Sequence, residues 1–373
     1  MTAHRNSRSR RGSALLFVLV AMVVLAVLSS AGLMSTYQEA RAARGAQVRQ
    51  RAMAVAEFGL NQQLDTWTQA RRTMAVGGID SSNVVVANGD TARVRVQRLD
   101  GQTFQIVSIG RANIGNGVLE AQRQASLLVR LSQPRIVPGS AIVSHGNIEV
   151  KGSIDITGRN TTPPGWTGCD AFGVRDTFAI SYNPAKTATV QKPATQAVGG
   201  TYADPNAASV STFTVFGTET FESLAAKANV TTAGGSPSPT GTATACSPSS
   251  TNWGEPDRGG AAIVGCQGYF PVIYSAGDLH LNGGRGQGIL LVNGSLRING
   301  NFKFVGLIVV MDDFRPNGNA DIYGSVLVRN RTTDNSLGNG NTLIAYSRCA
   351  VGQALGALAV PRRVHQRAWV QLH

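Results

Sequence analysis

The run GSALLFVLVAMVVLAVLSSAGLMSTYQ, from Gly12 to Gln38, holds no charged side chain. As an α-helix rising about 1.5 Å per residue, it exceeds the roughly 30 Å hydrocarbon core of a bilayer. In lipid each backbone amide must be satisfied within its own segment, which a helix does. Arg5, Arg8, Arg10 and Arg11 precede the run, so the positive-inside rule holds that end in the cytoplasm and sends the rest out. The expectation is a single-pass inner-membrane protein with an exported body.

Two ordinary readings compete. Ser29, Ser30 and Ala31 offer a signal peptidase its small residues, and Ser9-Arg10-Arg11 faintly matches a twin-arginine signal. A plain membrane anchor is the other. Against a signal stands the adjoining stretch: residues 37–70 contain no proline and are rich in Ala, Gln, Arg, Leu and Met, predicting one helix over 13–72. Ala40, Ala42, Ala43, Ala46, Ala52, Ala54 and Ala56 would let neighbouring helices approach closely.

The net charge of +13 raises the question of a nucleic-acid partner. Residues 1–72 carry ten arginines against Glu39, Glu57 and Asp65, and residues 346–373 carry four arginines and no acid. The body between is nearly neutral, so no nucleic-acid partner is expected. Only 15% of residues are charged and 43 are glycine, a composition suited to a glycine-punctuated, β-rich exported body.

After Arg72 the period changes from helical to two. TARVRVQRL, QTFQIVSIGRA and EAQRQASLLVRL predict antiparallel strands over 73–133, joined by a tight turn at Asp100 and Gly101 and a looser one at 113–117. Beyond Pro138 a pattern recurs: AIVSHGNIEVKG from 141, VIYSAGDLHLNG from 272, ILLVNGSLRING from 289, LIVVMDDFRPNG from 307 and a partial ADIYGSVLVRN. The near-even spacing of the corners Gly277, Gly294 and Asp312 predicts β-solenoid coils over 138–159 and 261–331. A glycine-rich antiparallel sandwich is the alternative. Residues 160–260, as in TTAGGSPSPTGTATACSPSS, are rich in Thr, Ser, Pro and Gly and are expected to leave the coils as a display loop offering a surface or glycan contact. Within them DTFAISY and STFTVFGTETFESLAAKA predict a strand pair or short helix. Residues 332–373 are expected to cap the last coil or to contact a partner.

Cys169, Cys246, Cys266 and Cys349 form no CxxC pair; in an exported chain they are disulfide candidates with three possible connectivities. No zinc site is expected, the spacing being wrong and His145 and His280 lying in strand–turn repeats. Asp312 and Asp313, with Asp278 at the equivalent corner, could form an acidic ladder resembling polysaccharide-degrading β-helices. Aspartate is also an ordinary corner residue, so no catalytic residue, metal or cofactor is assigned and no enzyme is expected.

One resemblance is specific. The basic leader, Gly12 and Ser13-Ala14-Leu15-Leu16-Phe17-Val18-Leu19 resemble a type III prepilin leader, and the stretch to RQRAMAVAEFGLNQQL resembles the N-terminal domain of PilX-type minor pilins. The resemblance implies a leader over 1–12, cleavage by prepilin peptidase between Gly12 and Ser13, methylation of the new N-terminus, and a filament-packing helix presenting Phe17, Val18, Val20, Val24 and Leu28. Major pilins carry Glu at the fifth mature position. Phe17 stands there in this chain, which is similar to minor pilins and to the K-type tip pseudopilins of type II secretion. The implied partners are other pilins or pseudopilins, the inner-membrane assembly platform, prepilin peptidase and lipid, with the cell-surface pilus as destination. The coils also resemble bactofilins, though those lack such a leader. The expected fold is α+β then mostly β: a long N-terminal helix, a small antiparallel sheet, then a β-solenoid with a low-complexity insertion. The expected role is pilus assembly, priming, tip display or adhesion. A secreted or surface-anchored β-helical protein acting on polysaccharide, and a self-polymerising scaffold, are the alternatives.

Overall fold

The computed structural model describes residues 11–72, 74–86, 89–114, 119–134, 136, 138–239, 246, 249–259, 264–330, 341–364 and 369–372. A long N-terminal helix is followed by mostly strand, and the chain divides into two compact units.

The first unit holds helix α1, Arg11–Asp65, and four strands: β1, Ile79–Val85; β2, Thr91–Arg98; β3, Thr103–Ile114; β4, Leu119–Ser132. The strands form an antiparallel meander in chain order. Asp100 makes the turn between β2 and β3: its carboxylate accepts the amides of Gln102 and Thr103, and those bonds hold its pKa below the usual carboxylate range. The looser turn expected at 113–117 has residues 115–117 outside the described residues. Trp369–Leu372 adds an antiparallel strand beside β4.

Val94 and Val96 on β2, Phe104 and Ile106 on β3, and Leu127 and Val129 on β4 alternate onto one buried face. Val48, Ala52, Val55, Ala56 and Leu60 of α1 are buried at helical spacing, and Ala52 and Ala56 lie directly over the backbone of Gly110. A Cβ at Gly110 would overlap the helix backbone, so small residues on both sides set this close approach. Ala52 and Ala56 therefore serve α1's own sheet, correcting their assignment to contacts between neighbouring helices. Ala40, Ala42, Ala43, Ala46 and Ala54 remain exposed. The helix also stops at Asp65, short of residue 72: Trp67 turns its ring edge-on to Phe104 at 5.1 Å, and burying that ring outweighs continuing the helix.

The second unit contains a twelve-stranded sheet whose strands pair in parallel. Val272 pairs with Ile289, Leu279 with Leu296, Gly288 with Gly306 and Gly306 with Gly324. Each strand is thus offset from the next by one copy of the sequence repeat. Leu290, Val292, Ile308, Val310, Val326 and Val328 pack into one apolar core. Their neighbours Ile289, Leu291, Leu307, Val309 and Leu327 point the other way into a second cluster, which is why these strands read as unbroken apolar runs.

The cover on that second face comes largely from residues 160–260. Phe213, Phe216, Phe221 and Leu224 lie there, from the short helices Ser211–Thr214 and Phe221–Ala226 and the strand between them. Phe178–Tyr182, Ala197–Val198, Thr201–Ala203 and Val230–Thr232 join the sheet itself. The strand and short helices expected at DTFAISY and STFTVFGTETFESLAAKA are present, while the expectation that 160–260 leaves the coils as a display loop is corrected, because these aromatic residues pack onto the strands. Val351, Ala354 and Leu355 of helix Arg348–Gly356 also enter this cluster, so this helix of the tail covers a face of the strands. Stack order departs from chain order too: Ser140–Ser144 pairs between Ala320–Val328 and Phe178–Tyr182, so the first copy of the repeat does not lie beside the second.

Candidate functional site

Among the described residues α1 is the one helix long and apolar enough to cross a membrane, and its apolar window is wholly exposed. Gly12 and Ser13 lie in its first turn, where only the backbone is described; the arginines at 5, 8 and 10 lie outside the described residues. Phe17 is 72% exposed, and Val18, Val20, Val24 and Leu28 are exposed as well. The absence of proline from α1 keeps the ladder of backbone bonds unbroken from the apolar half into the half that packs on the sheet. Exposed apolar surface on this scale needs lipid or other apolar helices around it.

The acidic corner is made of ordinary turn hydrogen bonds. Asp278 accepts the amide of Ser295 at 2.8 Å, the Ser295 hydroxyl donates to Asp312 at 3.0 Å, and Asn330 donates to the other Asp312 oxygen at 2.6 Å. Serine separates the two carboxylates, so the column is a hydrogen-bonded corner and not an acidic ladder. Asp313 turns inward, buried, with Arg315 at 3.0 Å. His145 meets the Ala207 carbonyl at 2.9 Å through Nδ1. Among the described residues no three His, Cys, Asp or Glu side chains form a metal-sized cluster.

The cysteines pair as Cys169–Cys349 and Cys246–Cys266. Cys349 lies at the start of helix Arg348–Gly356, so the first bridge ties that helix to the short turn Cys169–Phe172.

A charged cluster that no sequence motif announced lies where the segment 253–258 crosses the strands. Glu255 is fully buried and pairs with Arg285 at 2.9 Å; Asp257 meets Lys303 at 2.6 Å and Arg285 at 3.5 Å. Arg258 stacks over Trp166 at 4.1 Å and donates to the Gln267 carbonyl and the Gln287 side chain, both at 3.0 Å. Burial lowers its pKa to about 10, against the opposing pull of Glu255 and Asp257. Arg285 and Lys303 sit side by side on paired strands, so the one-period offset of the repeat was the signal that could have found the cluster. Arg285→Met would remove one ion pair from the fully buried Glu255. A stability loss of about 3 kcal/mol is expected in thermal unfolding. An unchanged melting curve would show that Glu255 does not depend on Arg285.

No protein-family model matches the chain, and no curated protein matches it. Among solved structures, the crystal structure of the competence-associated pilin ComZ from Thermus thermophilus is similar over 88% of this chain and 97% of its own, at 12% identity and a TM-score of 0.27. A superposition that loose fixes neither fold nor function, and the functional reading rests on the residues described above.

Proposed function

We propose that the chain is a pilin-like structural subunit, held by one helix in the inner membrane and taken from there into a type IV pilus or related secretion filament. The observation that carries this reading is the uninterrupted α1, with an exposed apolar half and a second half packed by Ala52 and Ala56 onto an antiparallel sheet. A disposable signal needs no such continuation, whereas a helix that trades lipid for a bundle of like helices does. The leader motif at Gly12 and Ser13 makes PilX-type minor pilins the family of choice.

Phe17 refines the role. A carboxylate at that position would be costly in a low-dielectric bundle unless it met a neighbour's amine. Phe17 offers no such pairing, which suits a minor or tip component present in few copies better than a repeated shaft subunit. The parallel strands over 272–328, each offset by one repeat from its neighbour, are read as β-solenoid coils interrupted by residues 160–260, a body for priming, tip display or adhesion. The partners would be other pilins or pseudopilins, the assembly platform and prepilin peptidase. No catalytic role is proposed.

N-terminal sequencing of protein made in cells containing a prepilin peptidase tests the reading. A methylated Ser13 as first residue is expected, with Gly12→Val leaving the leader attached. A mature chain beginning at Gly32 would identify a secretory signal and overturn the pilin reading.

A further inference from the structure

The strands Phe178–Tyr182 and Thr201–Ala203 end one side of the twelve-stranded sheet. Beside them is a cavity of about 540 Å³ whose lining includes Gly139, Arg175, Asp176, Phe178, Tyr346 and Arg348. These residues come from separate stretches of chain.

The aromatic wall is Phe178. Its ring is propped against Tyr202, stacked at 4.7 Å with planes 10° apart, and stays 40% exposed. Arg175 and Arg348 are exposed, and neither guanidinium has an ion-pair partner among the described residues. Tyr346 is buried; burial raises its pKa, and the positive charges of Arg348 and Arg175 oppose the rise.

Asn160 secures the rest. Its side-chain oxygen accepts the Arg348 amide at 2.9 Å, its own amide donates to one oxygen of Asp176 at 2.8 Å, and its side-chain nitrogen donates to the Gly173 carbonyl at 2.8 Å. The Cys169–Cys349 bridge anchors the residue after Arg348. A site ordered in advance loses little entropy on binding.

An exposed aromatic face accepts the C–H face of a sugar ring, and guanidinium groups hold a carboxylate by two parallel hydrogen bonds. The second oxygen of Asp176 can accept a sugar hydroxyl, a role with no use for a ligand that is anionic throughout. We propose that this cavity binds a carboxylated pyranose of an acidic polysaccharide, its ring on Phe178 and its carboxylate between Arg175 and Arg348. The inference stands independently of the filament reading, since any exported form of the body would carry the site.

Calorimetric titration of the full-length oxidised protein in detergent tests it, with an oligogalacturonate as probe. Its methyl ester, a neutral galactose oligomer and inorganic phosphate serve as comparisons. The oligogalacturonate is expected to bind, and esterification, Arg175→Gln or Arg348→Gln should each weaken binding at least about tenfold, the usual worth of a charge-assisted hydrogen bond. Both arginines are exposed, so these variants keep the fold, and Arg348→Gln retains the backbone bond to Asn160. Phe178→Ala should weaken the acid and leave no compensating affinity for phosphate. Absent binding, equal binding of the neutral oligomer, phosphate alone binding, or indifference to Arg175→Gln would each overturn the assignment.

Discussion

Gly306→Ala is expected to unfold the strand stack of the body, with a loss of more than about 4 kcal/mol. Gly288, Gly306 and Gly324 pair in register across three successive strands. Gly306 has φ +145°, a backbone conformation that side chains rarely adopt, and a Cβ there would sit on the carbonyl oxygen of Gly288, well inside contact distance. Gly324 stands in the same relation to Gly306, so the strands cannot move apart at one level without parting at the next. The clash is with backbone, so no side-chain rotation relieves it. Gly101→Ala is the control, because a Cβ there meets nothing within 4 Å, and a change within about 0.5 kcal/mol is expected. Thermal unfolding followed by circular dichroism separates the two. A Gly306→Ala protein melting with the wild type would mean the strands stack more loosely than their register implies.

Cys169→Ser with Cys349→Ser is expected to cost more stability than Cys246→Ser with Cys266→Ser, each pair compared in guanidinium titrations. The first bridge closes a sequence separation of 180 and the second one of 20. By the chain-entropy relation the long loop is worth about 5 kcal/mol and the short one about 3 kcal/mol. Cys349 is buried beside Ala350, Trp166 and Phe270, so replacing both partners of the long bridge by serine would also place hydroxyls in an apolar cluster. A reversed order would show that the long bridge only decorates contacts already made.

Several of these features were legible in the residues and several were not. The helix was, because an uncharged run from Gly12 to Gln38 has few alternatives in water or lipid. Its end was not: burial of Trp67 against Phe104 is a tertiary event, and helix propensity alone runs past Asp65. The alanines announced close packing, but the expected partner, a neighbouring helix, was wrong for two of them, since a stripe of small residues fits a helix or a sheet equally well. Ala52 and Ala56 meet Gly110 of the sheet.

The repeat disclosed the offset between neighbouring strands because corner residues and apolar runs recur at that spacing. It could not disclose that Ser140–Ser144 would stack beside Ala320–Val328, since parallel pairing of distant segments leaves no periodic trace. Residues 211–228 form the short helices and strand pair that their aromatic pattern suggested, but their role as cover did not show in the sequence. Four buried apolar side chains among many Thr and Ser are enough to cover a strand layer when the layer supplies the rest of the contact.

What the sequence by itself determined is local: a membrane-length helix, the alternation of β2 to β4, the corner spacing and an even count of cysteines. These follow from solvation and from the period of the backbone, which act over a short span of chain. Only the tertiary structure decided which cysteines meet, what covers the second face of the strands, and that Arg175, Phe178, Tyr346 and Arg348 share one cavity. Those depend on contacts between segments far apart in the chain, where the closing entropy is met by the whole core and no single residue type carries the signal.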